Sequence, residues 1–346
     1  MDDLPERFGD YDLIRRLGVG GMAETFLAVQ RGAAGFEQRV CIKRILATFQ
    51  EEPEFVAMFR REARLSALLH HGNIARVLDF GIVGQAHYLA LELIEGIDLR
   101  GVLDAQRNDG RTLEPQLVLY LARSLGSALE FAHTADDRGV AAGILHRDLS
   151  PSNVLLSYAG EIKLADFGIA KQTHRPGSLR STALKGKVPY MAPEYALGRH
   201  YDARTDLFSL GVLLYECLAG RRPFDGENDL ETLDNARHGR YEPIGSLAPA
   251  TPEILSTAIE ALLQPHPPDR TANATQLLDQ IEPLQESPLC RRTLGQLVRG
   301  AADRAPMPLA TGLASTRPAL TPRPRKRRPS RNSNHPRRSG SAPREG

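Results

Sequence analysis

The sequence predicts an α+β fold with two lobes, a small β-rich N-lobe at about residues 11–95 and a larger helical C-lobe at about residues 96–282. Short β-branched and aromatic runs dominate the first part, and apolar residues recur at helical spacing in the second. A chain of 346 residues with 41% hydrophobic content can also form two cores. Residues 1–10 are predicted to be an N-terminal extension, residues 283–300 a helical C-terminal extension, and residues 301–346 a separate tail.

The first predicted element is a strand, a glycine turn and a second strand in LGVGGMAETFLAV, residues 17–29. Glycines in such a turn let backbone N–H groups approach a phosphate, because no Cβ stands in the way. A dinucleotide-binding interpretation fails, since a strand and not a helix follows the turn. The next strand, RVCIK, is a β-branched run that ends in Lys43.

The helix that follows Lys43 carries an acid on its apolar face. Residues at spacings of three and four share that face: Phe55, Met58, Glu62, Leu65 and Leu69. A buried carboxylate without a partner is costly, so Glu62 is predicted to meet a cation from elsewhere in the fold, with Lys43 as the candidate. The alternative is a local surface pair of Glu62 with Arg61 or Arg64.

A buried strand, AHYLALELI at residues 86–94, completes the N-lobe and leads to a connector at Glu95 and Gly96. Four later segments have helical periodicity: residues 115–133, 205–220, 252–264 and 271–281. Residues 132–145 are predicted to contain an exposed loop.

Two short motifs in the C-lobe carry the candidate chemistry. HRDLSPSN ends at Asn153, and DFG begins at Asp166, eighteen residues after Asp148. An Asp, an Asn and a second Asp in this pattern suit phosphoryl transfer, which requires mainly positioning and charge neutralisation. Asp148 would orient an attacking hydroxyl and accept its proton, while Asn153 and Asp166 would hold a metal ion that bridges phosphates.

These motifs stand in one order with MAPE at residues 191–194 and the apolar helix TDLFSLGVLLYECLAG. In this combination the chain resembles the eukaryotic-type protein kinase superfamily, and bacterial serine/threonine protein kinases in particular, over about residues 11–282. The resemblance implies a two-lobed protein kinase fold and transfer of the γ-phosphate of ATP to Ser or Thr hydroxyls of proteins, with autophosphorylation in signalling. It also implies Mg²⁺, or Mn²⁺ in its place, as a cofactor.

The resemblance further assigns the nucleotide site. Lys43, aligned by Glu62, would contact the α and β phosphates, and Leu91 would be the gatekeeper beside adenine. The backbones of Glu92 and Ile94 would bond adenine. The implied ATP-binding residues are Leu17, Gly18, Val19, Gly20, Gly21, Met22, Ala23, Thr25, Cys41, Lys43, Leu91, Glu92, Ile94 and Leu155.

Supporting residues follow from the same resemblance. Asp206 would cap the backbone of the catalytic loop near His146, which would pack beneath Phe167. Glu194 and Arg270 would form a buried ion pair that ties the activation segment to the helical lobe.

A regulatory set is implied as well. Arg147 precedes the catalytic Asp, and an arginine there commonly pairs with a phosphorylated activation segment. Ser181 and Thr182 are the predicted phosphorylation sites. The alternative is that Arg147 only stabilises the loop.

Four departures from the family pattern bear on activity. Ala23 replaces the third glycine of the phosphate loop, and Thr25 replaces the apolar residue over adenine. Ser150 replaces the lysine that neutralises the γ-phosphate, whereas Lys187 replaces a threonine in the facing segment, so the lysine and the hydroxyl exchange places. Ser150 and Lys187 therefore join the catalytic candidates. If Lys187 does not reach the phosphate, the chain is a weakly active enzyme or a pseudokinase that binds ATP as a scaffold.

The tail differs from the rest of the chain in charge. Residues 301–346 contain 11 Lys and Arg against two acids, a balance of +9, whereas residues 1–300 carry a balance of −7. Eight prolines and few large apolar residues predict a disordered segment. It is a candidate to bind an acidic partner, an anionic lipid or nucleic acid non-specifically, and the alternative is a solvated end without a partner.

Three scattered cysteines, Cys41, Cys217 and Cys290, are predicted to be apolar fillers in a reducing compartment and not a disulfide framework or a zinc site. No apolar run approaches the roughly 18 residues that span a bilayer, and the N-terminus lacks an apolar signal core. A cytoplasmic protein is therefore expected. Its expected partners are protein substrates and, for autophosphorylation, a second copy as a homodimer.

Overall fold

The computed structural model describes residues 4–137, 140–141, 143–167 and 188–304. Within these residues the N-lobe is a six-stranded antiparallel sheet in the order β1-β2-β3-β4-β6-β5. The strands are β1 (Glu6–Phe8), β2 (Tyr11–Val19), β3 (Ala23–Arg31), β4 (Glu37–Ile45), β5 (Val77–Val83) and β6 (Ala86–Glu92). The predicted strand, turn and strand around the glycines are confirmed as β2 and β3.

Part of the predicted N-terminal extension belongs to this sheet, because β1 pairs with β2 at its edge. Phe8 of β1 is buried, and its ring lies edge-on to Tyr88 with centroids 5.4 Å apart. Asp79 of β5 accepts hydrogen bonds from the hydroxyls of Tyr11 and Tyr88, both at 3.2 Å. These contacts join β1 and β2 to β5 and β6, which lie far from them in the sequence.

Two helices, α1 (Ala47–Gln50) and α2 (Pro53–Ser66), connect β4 to β5. Proline at the first position and an acid in the first turn favour the start of α2. Met58, Phe59, Glu62 and Ala63 are its buried residues, so the predicted acid on an apolar face is confirmed. The helix ends at Ser66, so the prediction that Leu69 lies on it was wrong, although Leu69 is buried.

Helices dominate the C-lobe. They are α3 (Leu99–Asn108), α4 (Pro115–His133), α5 (Pro193–Ala196), α6 (Arg204–Ala219), α7 (Asp229–His238), α8 (Ile244–Leu247), α9 (Glu253–Leu262), α10 (Ala274–Ile281) and α11 (Cys290–Arg304). The core forms around α6, in which every residue from 205 to 218 is buried. Gly220 ends α6 in the left-handed conformation, with φ of 70°, which glycine adopts without strain. The four predicted helices are confirmed as α4, α6, α9 and α10.

Two small sheets complete the lobe. Strands β7 (Gly96–Asp98), β10 (Val154–Ser157) and β11 (Ile162–Leu164) form an antiparallel sheet in the order β11-β10-β7. Strands β8 (Asp136–Asp137) and β9 (Val140–Ala141) pair within the segment that was predicted to be an exposed loop. The described part of residues 132–145 therefore contains one antiparallel strand pair.

The predicted C-terminal extension contains a helix, but α11 begins at Cys290 and continues to Arg304. Its regular face of Cys290, Leu294, Gly295, Val298 and Ala301 is buried, which explains why the helix passes the predicted boundary at residue 301. The remaining tail, residues 305–346, lies outside the described residues. In the parts of the chain that are described, no helix is both long and apolar enough to cross a membrane.

Candidate active site

The predicted catalytic loop is tied together by Asn153. Its Nδ2 donates to Asp148 O at 2.7 Å, its N–H donates to Ser150 O at 2.9 Å, and its carbonyl accepts from Ala165 N at 2.9 Å. These bonds fix the loop against the residue that precedes Asp166. The Oδ1 of Asn153 is buried and has no hydrogen-bond partner among the described residues. A buried acceptor of this kind suits a cation.

Asp206, in the first turn of α6, holds the backbone of this loop. Its Oδ2 accepts from His146 N at 2.7 Å and lies 2.9 Å from His133 Nε2, and its Oδ1 accepts from Arg147 N at 2.7 Å. Burial alone would raise the pKa of Asp206, but the hydrogen bond from His133 and the neighbouring donors outweigh burial and lower that pKa. The predicted cap is confirmed. His133 is a further partner of Asp206 that the sequence did not identify.

His146 is fully buried and packs on Phe167, with ring centroids 4.7 Å apart. Its Nε2 lies 3.0 Å from Ala165 O, and its Nδ1 accepts from Asp148 N at 3.2 Å. One ring nitrogen therefore donates and the other accepts, as in neutral imidazole. Burial lowers the pKa of His146 and favours the same neutral form. The predicted packing role is confirmed.

Lys43 joins the two acids on either side of it. Its Nζ lies 2.8 Å from Glu62 Oε1 and 2.8 Å from Asp166 Oδ1, so β4, α2 and the segment after β11 converge. Burial alone would lower the pKa of Lys43, but the carboxylates of Asp166 and Glu62 outweigh burial and raise it. Burial raises the pKa of Glu62, against the opposing effect of Lys43. The predicted Lys43–Glu62 pair forms, in a cluster with more acids than cations.

The glycine turn closes through Gly20, whose N–H donates to Ala23 O at 2.8 Å. Thr25 is fully buried, and its hydroxyl lies 3.5 Å from Gly18 O. A Cβ at Gly21 would meet no atom within 4 Å, so the tip of the turn faces open space. Among the other residues predicted to bind ATP in this turn, Leu17 is buried, Met22 is partly buried and Val19 is exposed.

Apolar residues predicted to surround adenine lie beside the acids. Ile94 and Leu155 form one buried cluster with Ala165, which precedes Asp166. Cys41 is buried opposite Leu91 in the register of β4 and β6. Burial raises the pKa of the Cys41 thiol to about 12, so it stays protonated and acts as a small apolar residue.

Glu92, at the end of β6, bonds within the protein through its N–H. That N–H donates to Arg76 O at 2.9 Å, and the side chain of Glu92 lies 2.9 Å from Lys163 Nζ. The N–H of Glu92 is therefore already used within the protein.

The residues for a divalent cation consist of oxygen donors. Asn153 Oδ1 has no hydrogen-bond partner among the described residues. Asp166 follows Ala165, whose N–H donates to the carbonyl of Asn153. Across the described residues no group of three or more His, Cys, Asp or Glu side chains could hold a metal ion. A sparse oxygen set fits Mg²⁺, which keeps water and phosphate ligands.

Arg147 adopts a φ of 60°, and its guanidinium lies 5.5 Å from the centre of the Tyr201 ring. Its Nε is buried and finds no partner in the described part of the chain.

Ser150 is buried and lines a small cavity together with Asp148, Tyr190 and other residues that surround the MAPE segment. The predicted residues Ser181, Thr182 and Lys187 lie outside the described residues.

The predicted ion pair of Glu194 with Arg270 is confirmed. The two guanidinium nitrogens bond the two carboxylate oxygens at 2.9 and 3.2 Å. Arg270 also donates to the carbonyls of Arg204 at 2.8 Å and Gln264 at 3.0 Å, and Thr205 donates to Glu194 at 3.1 Å. All these groups are internal to the C-lobe.

A second buried acid was missed in the sequence. Glu216 of α6 is 1% exposed and contacts the guanidinium groups of Arg100 and Arg107 and the hydroxyl of Tyr190. The signal was present, because Glu216 is an acid within the apolar run of α6, as Glu62 is on the apolar face of α2. The cluster ties α3 and α6 to the segment before MAPE.

The model of the protein kinase domain family matches residues 11–299. Tyrosine-protein kinase MasK of Myxococcus xanthus is 40% identical over 280 residues, which cover 81% of this chain and 43% of that protein. Serine/threonine-protein kinase PknA of Mycobacterium tuberculosis is 36% identical over 264 residues, covering 75% of this chain and 57% of that protein. The chain thus spans about half the length of the curated relatives it matches.

Solved structures agree with these sequence matches. The crystal structure of the Mycobacterium tuberculosis PknI kinase domain superposes with a TM-score of 0.58 at 26% identity, covering 81% of this chain and 97% of that one. The predicted two-lobed fold is confirmed by this likeness.

Proposed function

Because the chain belongs to the protein kinase domain family, we propose that it is an ATP-dependent protein kinase that phosphorylates Ser and Thr hydroxyls of proteins. The observation that carries the proposal is the contact of Lys43 with both Glu62 and Asp166. These residues lie next to a catalytic loop in which the buried Asn153 Oδ1 has no hydrogen-bond partner among the described residues. Phosphoryl transfer depends on positioning and on charge neutralisation, which these groups supply.

Asp148 is the proposed base. Its carboxylate would orient the attacking hydroxyl and accept its proton as the new bond to the γ-phosphorus forms and the bond to the leaving ADP breaks. Asp206 supports this role, because its bonds to His146 N and Arg147 N hold the backbone immediately before Asp148.

Lys43 would place its ammonium on the α and β phosphates, and Glu62 would hold that ammonium in position. Asn153 and Asp166 would hold a divalent cation, Mg²⁺ with Mn²⁺ as the alternative, and that cation would neutralise the β and γ phosphates. The excess of carboxylates around Lys43 supports this assignment, since a further cation would balance the cluster.

Adenine would lie against Ile94, Leu155 and Cys41, with the glycine turn over the phosphates. The carbonyl of Glu92 and the backbone of Ile94 would bond its edge. The open space at Gly21 supports a phosphate contact at the tip of the turn.

The γ-phosphate would receive its cation from Lys187 in place of the lysine that Ser150 replaces. Tyr190, three residues after Lys187, lines one cavity with Ser150 and Asp148, which supports an approach of this segment to the loop. If Lys187 does not make this contact, the protein is a weak kinase or an ATP-binding scaffold.

A second candidate activity is phosphorylation of tyrosine. The MasK relative, which is named a tyrosine-protein kinase, is 40% identical over 81% of this chain. Ser150 also leaves the loop without the long lysine side chain, and its buried position lines the cavity next to Asp148.

Regulation is proposed through the activation segment. Arg147 Nε is a buried donor without a partner in the described residues, which supports a contact with phosphorylated Ser181 or Thr182. Autophosphorylation would use a second copy of the chain as a homodimer. The basic tail would bind an acidic protein, anionic lipid or nucleic acid by charge.

One assay separates these functions. The full chain is incubated with radiolabelled ATP, Mg²⁺ and a generic basic protein, and labelled amino acids are identified after hydrolysis. Phosphoserine and phosphothreonine support the proposal, and phosphotyrosine supports the second candidate. Nucleotide binding without incorporation identifies the scaffold, and absence of both binding and incorporation refutes all three.

A further inference from the structure

The helix α11 makes an unusually close backbone contact with the turn between β10 and β11, residues 158–161. Gly295 of α11 faces this turn, and a Cβ there would lie 2.6 Å from Tyr158 O. Gly160 of the turn, at φ of 80°, faces the helix, and a Cβ there would lie 1.7 Å from Arg291 O. Two glycines on opposite sides of one contact let the two backbones touch.

Arginines of α11 reinforce this contact. Arg299 donates to Tyr158 O at 2.8 Å, and its guanidinium lies 5.9 Å from the centre of the Tyr158 ring. Arg291 donates to Ala159 O at 3.2 Å and to Glu161 at 2.7 Å. The helix therefore contacts all four residues of the turn, through its arginines at Tyr158, Ala159 and Glu161 and through its backbone at Gly160.

The turn also forms a hydrogen bond with the connector between the lobes. Tyr158 N donates to Glu95 O at 2.8 Å, and β10 pairs with β7 directly after that connector. A Cβ at Gly96 would lie 1.8 Å from Leu156 O, so these strands are also in close backbone contact. Leu155 of β10 belongs to the same buried cluster as Ile94.

From this chain of contacts we infer that α11 positions the nucleotide site, with Gly295 and Arg299 as positioning residues that act through Tyr158 and Glu95. The inference rests on the proposed function, because the site it concerns is the ATP site of that kinase. A shift of the turn away from α11 would move Tyr158, and with it the Glu95 carbonyl and the start of β7. The adenine-facing residues Ile94 and Leu155 would lose their relative placement.

The test compares two glycines of the same helix. Gly295→Ala inserts a Cβ against Tyr158 O, whereas Gly300→Ala adds the same atom where nothing lies within 4 Å, beside a cavity of about 230 Å³ between α3 and α11. Both changes raise helix propensity equally. The full chain is titrated with a fluorescent ATP analogue and Mg²⁺, and KM and kcat are measured with a protein substrate.

Gly295→Ala should weaken nucleotide binding about fivefold or more and raise KM for ATP in parallel, as expected for coupled sites, with kcat within about twofold. Gly300→Ala should bind as the wild type does. Arg299→Ala tests the same contact without adding atoms, and it replaces Gly295→Ala if that variant does not fold. Its control is Arg292→Ala, at an exposed position of α11. Amide hydrogen exchange at Tyr158 should accelerate in Gly295→Ala and Arg299→Ala only.

The outcomes separate the two proposals. If the wild-type protein binds no Mg-ATP, the proposed function fails and the inference falls with it. If the wild type binds ATP and both test variants match their controls in nucleotide affinity, the positioning role of α11 alone is wrong. Loss of thermal stability with an unchanged KM for ATP would also refute that role, because it is what a purely structural helix would produce.

Discussion

Two buried ionic clusters, one within the C-lobe and one that joins both lobes, differ in how completely their charges are matched. Arg270 donates hydrogen bonds to both oxygens of Glu194 and to the carbonyls of Arg204 and Gln264. The single ammonium group of Lys43 instead contacts two carboxylates, those of Glu62 and Asp166. The first cluster is saturated by the protein, whereas the second retains an excess of acid.

This difference separates support from function. A saturated buried pair stabilises one arrangement of the chain, and removal of either member leaves a charge without a partner. A cluster that keeps excess negative charge, next to an acceptor such as Asn153 Oδ1 that has no partner among the described residues, is suited to bind a cationic ligand. Substitutions in the Glu194 cluster should therefore lower stability, and substitutions around Lys43 and Asp148 should lower activity.

The largest effect is expected at Asp148. Asp148→Asn should lower kcat by about 10²- to 10⁴-fold, because the base would no longer accept the proton of the attacking hydroxyl. ATP affinity should stay within about threefold, since Asp148 is not assigned to the nucleotide. Radiolabel transfer measures turnover, and nucleotide titration measures the affinity. Asp104→Asn, at an exposed position of α3, is the matched control, and near-normal turnover in Asp148→Asn would refute the assigned base.

Much of this arrangement could be predicted from residues near each other in sequence. The spacing of Asp148, Asn153 and Asp166 and the acid on the apolar face of α2 identified the site before any contact was known. The pair of Glu62 with Lys43 followed from the cost of a buried charge. These features depend on local pattern and on general electrostatics.

Contacts between distant elements could not be predicted in the same way. Asp206 bonds His133 across 73 positions, and Arg299 bonds Tyr158 across 141, so no local pattern links the members. The end of α2 at Ser66 was also missed, because Leu69 continues the apolar spacing after the helix has ended. The pairing of β8 with β9 depends on backbone hydrogen bonds between short segments with little apolar periodicity.

The next largest effect concerns the saturated cluster. Glu194→Gln should lower the free energy of unfolding by about 3–5 kcal/mol, because the buried guanidinium of Arg270 would lose its counter-charge. Denaturant unfolding measures this loss. The control is Asp225→Asn, which breaks the part-exposed pair with Arg222 and should cost less than about 1 kcal/mol. Equal losses in the two variants would remove the distinction between the clusters.

A smaller effect is expected from the exchanged lysine. Lys187→Thr should reduce turnover by about ten- to a hundredfold, since a charged hydrogen bond of about 1.5–3 kcal/mol to the γ-phosphate is lost. Ser150→Lys alone should help little, because two ammonium groups would crowd one phosphate. The double variant should recover much of the lost turnover, and the coupling is measured in a double-mutant cycle. Strict additivity would place Lys187 at the substrate or in solvent.

The smallest effect is a dependence of stability on pH that originates in the catalytic loop. Burial holds the pKa of His146 below its ordinary value of about 6.5. As the pH falls below that value, the unfolded chain binds a proton at His146 that the folded protein excludes, so the free energy of unfolding decreases until the lowered pKa is reached. Urea unfolding between about pH 7 and pH 5 should show this decrease, and it should be smaller in His146→Gln. His266→Gln, at an exposed position, should keep the wild-type slope, and an identical slope in both variants would mean that the buried imidazole of His146 does not set this dependence.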